Sequence, residues 1–345
     1  MAKNNLIYDL NRKALTGFVS EKRTLETGKE IKYKEVTNDE TRKKYKQANK
    51  KFATFARSRG VRMLKNVTIE LVQDWAAELA TEGKSVSTIH TYLAPICRAL
   101  EIDMKEIKKD KRTIDQISRG RVASKNPQGQ KELESEKFQR LVTLAPLVGL
   151  RRSEYKRLTP DSLFEKDGLH YVKVKGKGGK VQEQIVLPTG LDVVKNMLAD
   201  PQGWNPELNE HQVFSDAEMN NKINLHAMRA DYAKEFYRQV LAGVNRSTNN
   251  ADRWRELLLK RFEEGNVSLK ESKPSLYNRR LADFKKSMDT STVYRPRGKS
   301  LKIAKEKGLP TEYNRLALTV TSVFALSHWR NDVTVINYLL ATHDN

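Results

Sequence analysis

Across most of this 345-residue chain the apolar residues recur at helical spacing, and in one place they do not. Over Leu169–Val174 and Val181–Leu187 they alternate, on either side of a Gly-Lys-Gly-Gly-Lys turn. A period of 3.6 commits a segment to a helix with one buried face, and a period of 2 commits it to a strand. A glycine-rich turn between two alternating segments is the mark of a β-hairpin. The pattern therefore predicts a mainly α (α+β) protein with one small antiparallel sheet.

Charge narrows the partner. The chain holds 64 Lys and Arg against 43 Asp and Glu, a formal charge of +21, and the basic residues cluster. Arg42–Lys51 has six and no acid, Lys105–Lys125 eight against three acids, and Arg295–Lys307 six against one. Each phosphate contact releases condensed counterions, so such clusters favour a polyanion, with nucleic acid ahead of a membrane surface. No apolar stretch approaches the roughly 20 residues of a membrane span. The start, MAKNNLIYDLNRK, lacks the apolar core of a signal peptide. A lone Cys97 excludes an internal disulfide and a cysteine-based zinc cluster. The expectation is a soluble, cytoplasmic protein with no metal and no cofactor.

Residues 1–37 read as a basic, weakly patterned arm. Residues 38–115 read as a helical domain in three stripes: Tyr45, Ala48, Phe52 and Phe55; then Leu71, Val72, Trp75 and Leu79 behind an N-cap at Thr68; then Ile89, Leu93, Ile96 and Leu100, opened by Ser85 or Ser87. Residues 116–132, rich in charge with Gly and Pro, read as an exposed linker. Residues 133–345 read as a second, mostly helical domain that holds the hairpin.

Four segments of this second domain stand out together. Arg151 follows Gly149-Leu150 and precedes Glu154 by one turn. Lys177 lies at the hairpin tip. His226 and Arg229 are spaced i, i+3 on one helical face, and His328 is followed by Tyr338. Taken singly, each is commonplace. Gly-Lys-Gly-Gly-Lys is also no phosphate-binding P-loop, since Val181 follows Lys180.

In order, however, these segments resemble the tyrosine recombinase (phage integrase) family. Its pattern is Gly-Leu-Arg-x-x-Glu, a hairpin lysine, His-x-x-Arg, Leu-Gly-His and then a tyrosine. Here it is matched by Gly149-Leu150-Arg151-Arg152-Ser153-Glu154, Lys177, His226-Ala227-Met228-Arg229, Leu326-Ser327-His328 and Tyr338. The helical domain at 38–115 is similar to the family's core-binding, DNA-binding domain. The resemblance implies a site-specific recombinase that cuts and rejoins DNA through a 3′-phosphotyrosyl intermediate.

The residue chemistry suits that implication. Breaking a phosphodiester without metal calls for cations on the non-bridging oxygens, and Arg151 and Arg229 can fork onto phosphate. His328 adds a donor. Tyr338 as nucleophile yields an ester comparable in energy to the DNA linkage, so the cut is reversible. His226 is placed to help deprotonate the phenol, whose ordinary pKa is about 10. Lys177 would protonate the departing 5′-oxygen, and Glu154 would hold an arginine.

The chain departs from the family pattern in three ways. Arg229 to His328 spans 99 positions, so residues 243–315 read as an insertion, expected to serve DNA grip or assembly and to supply no catalytic group. Trp329 competes with His328 for the position before the nucleophile. Only seven residues follow Tyr338, so assembly is expected to use other surfaces. The resemblance further implies double-stranded DNA as partner and a homo-tetramer on two duplexes working through a Holliday junction. It also implies a place at the prokaryotic nucleoid, with accessory DNA-bending proteins possible. Integration or excision of a mobile element is the expected role. The rivals are a type IB-like topoisomerase and a non-catalytic DNA-binding regulator or architectural protein.

Overall fold

The computed structural model describes residues 5–16, 39–110, 127–176, 181–206 and 209–341. The chain divides into two units, Met1–Gln116 and Ile117–Asn345.

The first unit is built from α1 (Leu6–Ala14), α2 (Asp39–Ser58), α3 (Ile69–Thr81) and α4 (Val86–Leu100). Its core joins Leu6, Leu10, Phe52, Trp75, Leu79, Leu93 and Ile96, with the Trp75 ring edge-on to Phe52 at 5.1 Å. Thr68 caps α3 by accepting the Leu71 N–H (3.3 Å), and Ser85, not Ser87, caps α4 by accepting from Thr88 (3.2 Å). On α2, Lys43, Lys44, Lys46, Lys50 and Lys51 are all exposed while Ala48, Phe52 and Phe55 are buried. The helix thus carries a basic stripe opposite its apolar one.

Residues 5–16, within the span read as a basic, weakly patterned arm, form a packed helix. Leu6, Leu10 and Ala14 fall at i, i+4 and i+8 and are buried against the other helices. Asn5 caps α1 by accepting from Ile7, and Asn11 accepts from the buried Asn49 at 2.9 Å. The stripe was short and flanked by polar residues, so its partner existed only in the fold.

The first described element of the second unit is α5 (Pro127–Leu133), almost all of it within the span expected to be linker, followed by α6 (Gln139–Val148) and the single turn α7 (Arg152–Tyr155). A sheet of order β1-β2-β3 comes next: β1 (Leu163–Lys166), β2 (Leu169–Lys175) and β3 (Val181–Ile185), antiparallel throughout. Tyr171 pairs with Ile185, and Lys175 with Val181, as alternation on both sides of the turn predicts. Along β2 the side chains part: Tyr171 enters one apolar cluster with Phe236 and Phe324, while Val172 and Val174 enter another with Leu141, Leu144 and Phe214. The sheet is therefore packed on both faces.

Beyond it run α8 (Leu191–Ala199), a small β4–β5 ladder (Gly203–Asn205 with Glu210–Gln212), α9 (Asp216–Met219) and the long α10 (Leu225–Arg246). The span 243–315 folds as α11 (Thr248–Gly265), α12 (Val267–Ser272), α13 (Pro274–Ser287) and α14 (Lys299–Glu306). A β6–β7 pair, Val293–Tyr294 with Tyr313–Asn314, accompanies these helices. Leu258, Ala251 and Met288 are buried in the same cluster as Phe236 and Phe324, with Trp254 and Leu257 against it. This charged span is built into the unit's core. The last described elements are α15 (Arg315–Val320) and α16 (Asn331–Thr334), each running into a wide π-helical turn, Thr321–Ala325 and Val335–Leu339.

Among the described residues no helix is long and apolar enough to cross a membrane.

Candidate active site

Arg151 is positioned by what stands beside it in sequence. Gly149 ends α6 at φ +53°, a left-handed conformation that favours glycine. A Cβ there would also collide with the Tyr232 ring. The chain then turns, and Arg151 becomes the N-cap of α7. Glu154, fully buried, accepts the Arg151 backbone N–H (2.7 Å) and its Nη1 (2.6 Å). Nη1 also donates to Gln182 Oε1 on β3 at 3.0 Å. The side chain remains 35% exposed and so can meet a ligand. Its neighbour Arg152 turns the other way, donating to Asn221 Oδ1 (2.8 Å) and the Ile223 carbonyl, which fixes the loop before α10.

Arg229 is positioned by distant residues. From the first turns of α10, capped by Asn224 accepting from Ala227, it is fully buried. Nη1 donates to the Gly149 carbonyl and to Gln184 Oε1 (3.0 Å), and Nη2 to the Leu326 carbonyl (2.9 Å). One side chain thus ties together the Gly-Leu-Arg turn, the second strand of the hairpin and the Leu-Ser-His segment. A guanidinium has five N–H donors, so two remain, and Nε has no partner among the described residues.

Tyr338 lies in the second π-helical turn, where the Leu340 N–H reaches five residues back to Val335 O (2.9 Å). Such wide turns displace a side chain from the regular helical path. The Tyr338 ring lies 5.3 Å from the His226 ring and 5.9 Å from the His328 ring, and the Arg229 guanidinium is 5.8 Å from its centroid. His226, Arg229, His328 and Tyr338 are therefore brought together, with Arg151 joined to them through β3.

His328 is held by its backbone N–H on Ser322 O (3.0 Å), and neither ring nitrogen has a partner among the described residues. Burial, with the charges of Arg229, Arg151 and Arg330 adding to it, pushes His328 down to about 4. At neutral pH it is an uncharged imidazole with one donor to offer. Trp329 points elsewhere: its ring packs on Phe284 (5.3 Å) and Phe262 (6.0 Å) of the inserted helices. Ser327, in the place of the pattern's glycine, adopts φ +54°. Lys177 lies outside the described residues. Among those described, no group of His, Cys, Asp or Glu could hold a metal ion.

Residue typing overlooked β3. Gln182 and Gln184 share one face of the strand, one on each arginine, and Gln184 is fully buried. The available signal was a pair of amides alternating inside a strand that had to pack on both faces.

No family model and no curated protein matches the chain. In fold, it is similar to solved recombinases and a transposon integrase. One is XerH bound to palindromic difH substrate in a post-cleavage complex, at 16% identity, with 57% of this chain and 69% of that one covered and a TM-score of 0.39. A Tn1549 transposon integrase in complex with transposon right-end DNA is similar at 12% identity over 67% of this chain and 87% of that one, TM-score 0.40. The XerA recombinase is similar at 13% identity over 67% and 85%, TM-score 0.21.

Proposed function

We propose that the protein is a tyrosine site-specific DNA recombinase, with Tyr338 as its nucleophile. The observation that carries this is the packing of the Tyr338 ring against two imidazoles, with a buried guanidinium 5.8 Å from its centroid. A tyrosine merely filling a core has no need of two histidines and two strapped arginines.

In the proposed step the Tyr338 oxygen attacks the scissile phosphorus and the bond to the 5′-oxygen breaks. The phenolic proton passes to His226, and the leaving oxygen takes a proton from Lys177. The exposed Arg151 grips a non-bridging oxygen, His328 donates its one N–H, and Arg229 adds positive charge from beneath. A 5′-hydroxyl from a partner duplex reverses each transfer, so no external energy source is needed. In its finer form, the chain works as a homo-tetramer on two duplexes and integrates or excises a mobile element.

A nicked suicide duplex carrying the true site tests the chemistry. Wild-type protein should accumulate a covalent protein–DNA adduct on a denaturing gel, and Tyr338→Phe should bind the same DNA and form none. An adduct persisting in Tyr338→Phe at the wild-type level would place the nucleophile elsewhere. Synapsis of two labelled duplexes separates a recombinase from a topoisomerase, which needs only one.

A further inference from the structure

The insertion has a handle on the site. β3 is an edge strand of its sheet, paired among the described residues with β2 alone. An edge strand leaves alternate carbonyls without ladder partners, and a buried one must find a partner elsewhere. At Glu183 two donors come from outside the sheet. Arg261 Nη2, from α11 of the insertion, donates to the Glu183 carbonyl at 3.0 Å and lies 3.4 Å from its carboxylate. Ser327 Oγ donates to the same carbonyl at 3.3 Å.

Glu183 sits between the two glutamines that face the arginines, and Ser327 immediately precedes His328. The Arg261 guanidinium, its side chain only 18% exposed, also lies over the rings of Phe324 (5.2 Å) and Tyr171 (5.7 Å). This is a planar, fixed cation rather than a loose surface charge.

A second link runs to the nucleophile's own helix. Thr319 Oγ1 donates to the Ser287 carbonyl at the end of α13 (2.9 Å) and accepts from Asn331 Nδ2 (2.9 Å). Asn331 Oδ1 accepts from Ser322 Oγ (2.8 Å), and Ser322 Oγ lies 2.7 Å from Thr334 Oγ1. Ser322 also holds the His328 backbone. The inserted helices thus bond to both elements that aim the site, β3 and the 315–341 segment.

We infer that Arg261 is a positioning residue: the insertion sets the alignment of Arg151, Arg229 and His328 by holding β3 at Glu183. This rests on the proposed recombinase chemistry. An insertion that served only as a DNA grip would have no reason to satisfy that carbonyl.

Arg261→Met tests it, because the methionine keeps apolar contact with Tyr171 and Phe324 while losing the donor and the charge. Single-turnover adduct formation is measured on the nicked duplex at saturating DNA, beside DNA affinity and thermal midpoint. The expected result is a cleavage rate down about tenfold to a hundredfold, with affinity unchanged within about threefold. Arg261→Lys should recover part of the rate, since it can still donate to Glu183. Arg255→Ala is the control in the same helix: Arg255 bonds to Asp252, Thr290 and Met288 within the insertion, and its loss should leave the rate unchanged.

Arg261→Met cleaving at the wild-type rate would overturn the inference, as would Arg255→Ala losing as much rate as Arg261→Met. If wild-type protein forms no adduct, or Tyr338→Phe keeps one, the proposed chemistry fails first and takes the inference with it.

Discussion

Arg151 and Arg229 are the same side chain held in opposite ways. Arg151 is fixed three residues away, by a buried glutamate in its own turn, and remains open to solvent. Arg229 is fixed by groups 45 to 97 residues away and is wholly enclosed. In the proposed chemistry the first would grip the phosphate, while the second is a keystone of the fold. A site can therefore divide its cations between one that meets the ligand and one that holds the elements together while lending charge from below.

Replacing each arginine should separate the two roles. Arg229→Ala leaves two carbonyls and the Gln184 amide oxygen buried without their donor, so it should cost about 3–5 kcal/mol of stability. Chemical denaturation would register this as a large drop in midpoint, and Arg229→Lys should recover little, because an ammonium cannot span three acceptors. A loss under about 1 kcal/mol would end the keystone description.

His328 comes next. Its folded pKa lies near 4 and its unfolded pKa near 6.5, so below pH 6.5 the unfolded chain binds a proton that the folded chain refuses. Stability is full above about pH 6.5 and falls as pH drops toward 4, by on the order of 3 kcal/mol. His328→Gln should flatten that limb of the curve, measured on the free protein. A curve of unchanged slope would mean that His328 is not the group that titrates.

Arg151→Ala should cost less stability, about 1–2 kcal/mol, since Glu154 keeps the backbone N–H and water can reach the exposed side. Its adduct rate should nonetheless fall by about a hundredfold or more if it touches the transferring phosphate. A stability loss matching that of Arg229→Ala would erase the distinction between the two.

The smallest effect is at Ser327. Its φ of +54° suits glycine, so Ser327→Gly should change stability by no more than about 0.5 kcal/mol, as relief of backbone strain offsets a lost hydrogen bond. Ser327→Val should cost about 1–2 kcal/mol, because a β-branched residue resists that conformation.

Local pattern made the elements legible. The hairpin strands, the cap at Thr68, a serine cap at 85 or 87 and the helix end at Gly149 all depend on residues within a few positions of one another. The same holds for the strap from Glu154 to Arg151, where one helical turn dictates the contact. Residues 5–16 escaped notice because a nine-residue stripe is marginal until something packs on it.

By itself, then, the sequence determined the helical stripes, the one hairpin, the turn that presents Arg151 and the order of the residues proposed for chemistry. Tertiary structure decided the rest. It set the ring of His328, which the Leu-Ser-His pattern already favoured, beside Tyr338 and packed Trp329 on the inserted helices, buried Arg229 under three distant acceptors, and joined the charged span 243–315 to β3 through Arg261. Backbone geometry propagates only a few residues along a chain, so periodicity and caps can be read locally. A buried donor's partner is set by whichever carbonyl the packed layers leave unsatisfied, and no spacing in the sequence encodes that.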